Sequence, residues 1–248
     1  MPDNHYENAK LAEIYDLDSP WSIDRDFYVS LVDMPRQSIL DLGCGTGLLC
    51  NAYAAKNHDI TGVDPSAAML EVARRKPHGR KIAWVQSFAQ NYRSDKRFDL
   101  IIMTGHAFQV LLEDDDILAT FAVMRQQLNH AGRIVFESRN PAIDWAATWD
   151  YDMVFEWQGN IVREARQFLA TENDRMTFEL RCEFPDEILV SVSKIRFLSR
   201  KDIEARLVAS GLQVEGVLGD WDATAFDELS SREIIFVARP ANYSSHSL

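Results

Sequence analysis

The segment Ile39-Leu40-Asp41-Leu42-Gly43-Cys44-Gly45-Thr46-Gly47 passes from an apolar run through one acid into three alternating glycines. Residues 38–42 have the length and apolarity of a strand buried in a parallel sheet. The glycines let the chain turn tightly and let a ligand approach bare backbone. Residues 47–55 then read as a helix whose free N–H groups point back at the loop. A strand, a glycine loop and a helix in this order make a nucleotide-class binding site.

The spacing narrows the ligand. Dinucleotide sites use G-x-G-x-x-G, the third glycine letting the helix pack close beneath a pyrophosphate. Here the pattern is G-x-G-x-G, and Asp41 stands on the strand two residues before the first glycine. A carboxylate there repels a pyrophosphate and suits a cationic amine or sulfonium. Asp64 follows seventeen residues after Gly47, at the tip of a second strand-like run over 59–63. An acid in that place accepts hydrogen bonds from both ribose hydroxyls. The ligand implied is an adenosine without phosphates.

Working outward, helices are expected over 6–17 and 22–34, the second with Ser22 as N-cap and Asp24 in its first turn. Strand–helix units follow at 37–42 with 47–56 and 59–64 with 66–76. Further strands are expected at 81–86, 98–103 and 131–138, with a helix over 114–129. This alternation predicts an α/β fold with a doubly wound, mostly parallel sheet. After Ser138 the period changes. Residues 153–157, 161–166, 175–184 and 187–197 read as antiparallel strands with one wet face, turning at Gly159-Asn160 and Pro185-Asp186. A helix over 199–210 and strands at 212–218 and 232–239 return to the main sheet. The expected organisation is a core of residues 1–141 and 198–240, an inserted antiparallel β cap of 142–197, and a flexible tail over 241–248.

Composition excludes several partners. The formal charge of −12 disfavours a polyanion, because phosphate contacts dominate nucleic-acid affinity. The Arg74-Arg75-Lys76 triplet suits the C-terminal turn of a helix. Cys44, Cys50 and Cys182 are odd in number and form no C-x-x-C, so neither a disulfide nor structural zinc is expected. Asp114-Asp115-Asp116 fit a helix N-terminus better than a metal site. No apolar run has the length of a membrane span, and the N-terminus lacks a signal-peptide core. These features point to a cytoplasmic protein with a small-molecule partner and no nucleic acid or membrane; the oligomeric state is left open.

The chain resembles the class I S-adenosylmethionine-dependent methyltransferases in Leu40-Asp41-Leu42-Gly43-Cys44-Gly45-Thr46-Gly47, in Gly62-Val63-Asp64-Pro65-Ser66 with Met69-Leu70, and in Phe98-Asp99-Leu100-Ile101. The likeness is clear over residues 10–140 and looser beyond. It implies a Rossmann-like sheet whose last strand is antiparallel, with S-adenosylmethionine as cofactor. Asp41, Gly43, Cys44, Gly45, Gly47, Asp64 and Pro65 would hold the cofactor, and Met69 is either core or an adenine contact. Family members often carry an acid where this chain has Ser87; its hydroxyl would accept from the adenine amino group, and Phe88 N–H would meet the ring. The Thr104 carbonyl would meet the methionine portion, and Tyr15 would close the pocket.

On the acceptor side, His106 and Phe108 follow the fourth strand, and Arg139 and Asn140 lie past the fifth. Trp145, with Trp149 and Trp157, either walls the substrate or packs the cap. His106 is the candidate general base. The activity implied is in-line methyl transfer to a nitrogen or oxygen nucleophile, driven mainly by proximity and orientation. Two rival readings stay open: a noncatalytic S-adenosylmethionine-binding or regulatory protein, and a nicotinamide-dependent oxidoreductase.

Overall fold

Ser38–Leu42 forms β1, an inner strand of a seven-stranded sheet in the computed structural model, which describes residues 4–32 and 34–241. The next strands are β2 (Asp59–Asp64), β3 (Ala83–Gln86), β4 (Phe98–Met103) and β5 (Leu128–Arg139). Four strands of a second sheet follow: β6 (Tyr151–Trp157), β7 (Asn160–Glu172), β8 (Arg175–Glu183) and β9 (Ile188–Arg196). Strands β10 (Leu212–Leu218) and β11 (Glu233–Pro240) complete the first sheet. Its order is β10-β11-β5-β4-β1-β2-β3, and β11 alone runs against its neighbours. The chain order reverses between β1 and β4, so the loops leaving those strands diverge and open a crevice at their C-terminal ends.

Strand parity separates two cores. Leu40, Leu42, Ile101 and Met103 face one side, among Phe108, Phe121 and Phe136. Ile39, Leu100 and Ile102 face the other, among Tyr28, Cys50 and Tyr53. Side chains two apart share a face, so Asp41 falls with Ile39 on the second side, and Glu137 falls there with Val135. The helices are α1 (Asn4–Glu7), α2 (Ala9–Asp18), α3 (Ile23–Ser30), α4 (Leu48–Ala55), α5 (Ala67–Arg75), α6 (Asp114–Gln127) and α7 (Arg200–Ala209).

The four-stranded sheet is antiparallel throughout, in the order β6-β7-β8-β9. On β8, Met176, Phe178, Leu180 and Cys182 are buried, while Ile188, Val190 and Val192 of β9 are exposed. The buried face packs against Leu11 and Ile14 of α2. Phe184 N donates to Glu187 O at 2.9 Å, closing the expected turn at Pro185-Asp186.

Several expectations change in detail. The first helix is broken at Asn8, whose side chain accepts from Lys10 N and Leu11 N at 2.9 and 3.2 Å and so caps α2. The second ends at Ser30, short of Pro35. Ser22 occupies its N-cap position, but its hydroxyl donates to Asp24 instead of capping the helix. The first hairpin turns at Gln158-Gly159, both with positive φ, one residue earlier than expected. Helix α6 stops at Gln127, because Leu128 already pairs with Phe98 in the sheet. The expected tail over 242–248 lies outside the described residues.

Candidate active site

The three glycines of the loop have φ of +75°, +53° and +69°, values that only glycine adopts without strain. Gly43 N and Cys44 N both donate to Val63 O, at 2.8 and 3.0 Å, pinning the loop to β2. A Cβ on Gly47 would meet Trp84 at 2.4 Å, whereas one on Gly45 would meet nothing within 4 Å. Gly47 is therefore a packing glycine, and Gly45 faces open space. Helix α4 starts at Leu48 with no side-chain cap, so its first N–H groups stay available.

Asp41 lies beneath this loop, 2% exposed. Its Oδ2 accepts from Cys50 Sγ at 3.3 Å, and its Oδ1 is buried without a partner among the described residues. Burial, with Asp64 nearby, pushes its pKa up to about 7. Its free oxygen lacks a cation or donor, as a seat for an ammonium group would. A cavity of ≈ 60 Å³ adjoins it, walled by Gly43, Gly45 and Thr46 below and by Tyr15 and Asp16 of α2 above. Asp16 ties α2 down, accepting from both Thr46 Oγ1 and Lys76 Nζ. Thr104 and Gly105, just after β4, close the side. Cys44 lines the same space as a neutral thiol, its pKa raised to about 11 by burial.

Not every expected cofactor residue faces this cavity. Asp64 accepts from Gly45 N at 2.8 Å and Ser66 N at 2.9 Å, so it fastens the loop to the start of α5. A carboxylate has about four acceptor positions, which leaves two free. Pro65 lies between Asp64 and the N-cap Ser66, outside the wall; the Ser66 hydroxyl accepts from Met69 N at 3.1 Å. Met69 is 1% exposed and lies in the interior. Ser87 donates to Phe88 O at 3.0 Å and Phe88 is surface-exposed; neither lines the glycine-loop cavity.

A second cavity of ≈ 290 Å³ joins the first, sharing Tyr15, Asp24, Arg25 and Gly105. His106 and Arg139 line it from the core, and Tyr151, Arg166, Phe178 and Leu180 from the four-stranded sheet. His106 has φ +59°; its N–H donates to Glu137 Oε1 at 2.8 Å and its Nε2 contacts Glu233 Oε2 at 2.9 Å. Glu137 is buried and accepts the Tyr28 hydroxyl. Burial pushes His106 down to about 3 and Glu233 up to about 7. The contact is a hydrogen bond between His106 Nε2 and Glu233 Oε2, with burial disfavouring the charged form of both partners.

Phe108, Asn140 and Trp145 do not line this cavity. Phe108 is buried in the core, stacked on Phe121 at 5.7 Å. Asn140 is spent on the backbone, donating to Glu228 O and Ser231 O and accepting from Ala142 N. Trp145 instead belongs to a row of alternating cations and rings running from core to second sheet. Arg232 and Arg139 lie 4.5 and 5.5 Å from the Trp145 ring; Arg139 and Arg166 lie 5.0 and 4.3 Å from that of Trp149; Arg166 also lies 4.5 Å from that of Tyr151. Trp157 packs elsewhere, against Phe184.

Asp24, Arg25, Glu137, Glu233, Tyr151 and Arg166 were not singled out from the sequence as site residues. A signal existed for two of them, acids at or inside apolar runs: Ile134-Val135-Phe136-Glu137 and Glu233-Ile234-Ile235-Phe236.

A family model described as a methyltransferase domain matches residues 39–132. A putative methyltransferase of Geobacillus sp. (strain WCH70) is 30% identical over 121 residues, 48% of this chain and 46% of that protein, so the match spans about half of that relative. Glycine/sarcosine N-methyltransferase of Aphanothece halophytica is 24% identical over 235 residues, 89% of this chain and 86% of that one. CalS10, an amino pentose methyltransferase from Micromonospora echinaspora solved with S-adenosylmethionine bound, has a TM-score of 0.69 at 20% identity, covering 92% of this chain and 96% of that chain. At that identity the likeness shows a shared fold.

Proposed function

We propose that this chain, whose residues 39–132 match a family model described as a methyltransferase domain, uses S-adenosylmethionine to methylate the nitrogen of a small-molecule amine. The observation that carries this reading is the buried, unpartnered Asp41 Oδ1 at the glycine-loop cavity, joined to a larger cavity walled by both sheets. The choice of nitrogen draws on two relatives, one named for glycine and sarcosine N-methylation and the other for an amino sugar.

The cofactor supplies a methyl group already activated on a sulfonium. The chain's own groups bind and orient. Asp41 would hold the amino group of the methionine portion, and the open face of Gly45 would admit the ligand against backbone. The two free acceptor positions of Asp64 remain for ribose. Tyr15, Asp24, Arg25 and Gly105 line both cavities, and there they would orient a bound donor and acceptor for in-line transfer. An ammonium acceptor must lose a proton before it can attack. The His106–Glu233 pair, with Glu233 raised to about 7 by burial, gives that proton a place to go.

Calorimetry with S-adenosylhomocysteine, followed by methyl-transfer assays on primary amines, secondary amines, alcohols and phenols, tests the reading. Binding that Asp41→Asn weakens at least tenfold, with turnover confined to amines, supports it. Absent binding, or methylation of hydroxyl acceptors alone, rejects it.

A further inference from the structure

Arg139 and Arg166 are set apart from other arginines near the site. Arg25 lies 3.2 Å from Asp24, and Arg196 lies 2.6 Å from both Asp114 and Asp174. Among the described residues, neither Arg139 nor Arg166 has a carboxylate within the 4.0 Å of an ion pair. Arg139 Nη1 donates to the neutral amide of Gln109 at 3.0 Å, and Arg166 Nε donates to Trp149 O at 2.9 Å. A guanidinium carries five N–H donors, so most of each fork is unspent. Acids around Arg166 have other partners: Asp18 and Glu164 both lie within hydrogen-bond reach of the Tyr151 hydroxyl, whose one proton can go to either, and Asp150 accepts from Phe168 N at 2.5 Å.

The two forks share one ring. Trp149 is 3% exposed, and its buried indole N–H has no acceptor among the described residues. This wall of the larger cavity therefore presents two cations held by ring faces and a donor left over, with too few acceptors to match. Carboxylates act on these cations only from beyond ion-pair distance, Glu233 and Glu137 on Arg139 and Asp18, Glu164 and Asp150 on Arg166. Keeping sheltered cations without a carboxylate in direct contact is costly, and planar guanidinium forks match carboxylate and phosphate geometry. From this we infer that the methyl acceptor carries an anionic group, a carboxylate or a phosphate, seated between Arg139 and Arg166 against Trp149. The inference rests on the methyl-transfer reading above. It orients the acceptor with its charged end under the second sheet and its nucleophile toward the junction of the two cavities. A volume of ≈ 290 Å³ holds a molecule of amino-acid or monosaccharide size.

Matched acceptors test it on the intact chain. Glycine is compared with ethylamine, and phosphoethanolamine with ethanolamine, so that the two arms separate a carboxylate seat from a phosphate seat. In parallel, acetate and inorganic phosphate are titrated into protein saturated with S-adenosylhomocysteine, and thermal midpoints are read. Arg139→Met, Arg166→Met and the corresponding lysine variants are checked for unchanged S-adenosylhomocysteine affinity, which controls for folding. The expected result is at least a tenfold preference in kcat/KM for the anionic member of one pair. That preference falls at least tenfold in each Met variant and is partly restored by Lys. Equal use of both members, or Met variants that slow both alike, overturns the inference and leaves methyl transfer standing. If nothing is methylated while an anion still raises the midpoint in wild type and not in Arg166→Met, the seat stands and the methyl-transfer reading falls.

Discussion

Asp41 pairs a sequence-legible position with a consequence that only its surroundings reveal. Its folded pKa of about 7 lies above the ordinary carboxylate value because burial disfavours the charge. An ammonium ligand needs the charged form, so binding between pH 5 and 7 must expel a proton. The affinity for S-adenosylhomocysteine should rise with pH through that window, by at most about tenfold per unit, and level off above 7. Calorimetry at pH 6 in buffers of different ionisation enthalpy should register the released proton, and Asp41→Asn should abolish the release. Asp41 was readable because an acid on an apolar strand before glycines has few uses. Glu233 was not singled out: it reaches His106 across 127 residues, and only the return of β11 beside β5 brings them together. Arg166 was equally hidden, since on β7 it reads as one more charge in an alternating strand.

At the scale of elements, the glycine loop and the one-turn 3₁₀ helix at Ala107–Val110 separate packing from function. Gly47→Ala combines a positive φ, costing about 1–2 kcal/mol, with an overlap on Trp84 at 2.4 Å. A loss of roughly 2–4 kcal/mol in urea unfolding is expected. Gly45→Ala meets open space, so its stability cost should stay near the φ term alone while cofactor affinity falls more steeply. Phe108→Ala should cost about 3–5 kcal/mol as a core truncation and leave acceptor KM unchanged once the protein is folded. The sequence placed Phe108 after β4, at the mouth of the crevice. Which way it points is decided by the Phe108, Phe121 and Phe136 cluster, and Phe121 and Phe136 come from later elements. Strands β4 and β10 match their expected limits at 98–103 and 212–218, because both are short, strongly β-prone runs with clear ends.

For the whole molecule, five buried carboxyl groups act in the same direction: Asp41, Asp64, Glu137, Glu164 and Glu233 are all raised by burial. Burial raises Asp41, Glu164 and Glu233 each to about 7. A raised folded value means the folded chain holds protons that the unfolded chain has released, so these groups stabilise most below about pH 4. Their contribution is lost as pH climbs to 7, by at most about 1.4 kcal/mol per unit for each group. His106, lowered to about 3 by burial, opposes them by at most about 1.4 kcal/mol between about pH 5.5 and 6.5, less than the carboxyl groups together. The ligand-free protein should therefore show a higher urea midpoint at pH 5.5 than at 7.5, and saturating S-adenosylhomocysteine should narrow the difference by stabilising charged Asp41. A midpoint that rises with pH would count against these assignments. The row of Arg232, Trp145, Arg139, Trp149, Arg166 and Tyr151 has an optical consequence as well. Two of the chain's six tryptophans have cations close to their rings, and indole emission responds to such charges. An anion settling between Arg139 and Arg166 would change the field on Trp149, so the near-ultraviolet spectrum would report acceptor occupancy without any added label.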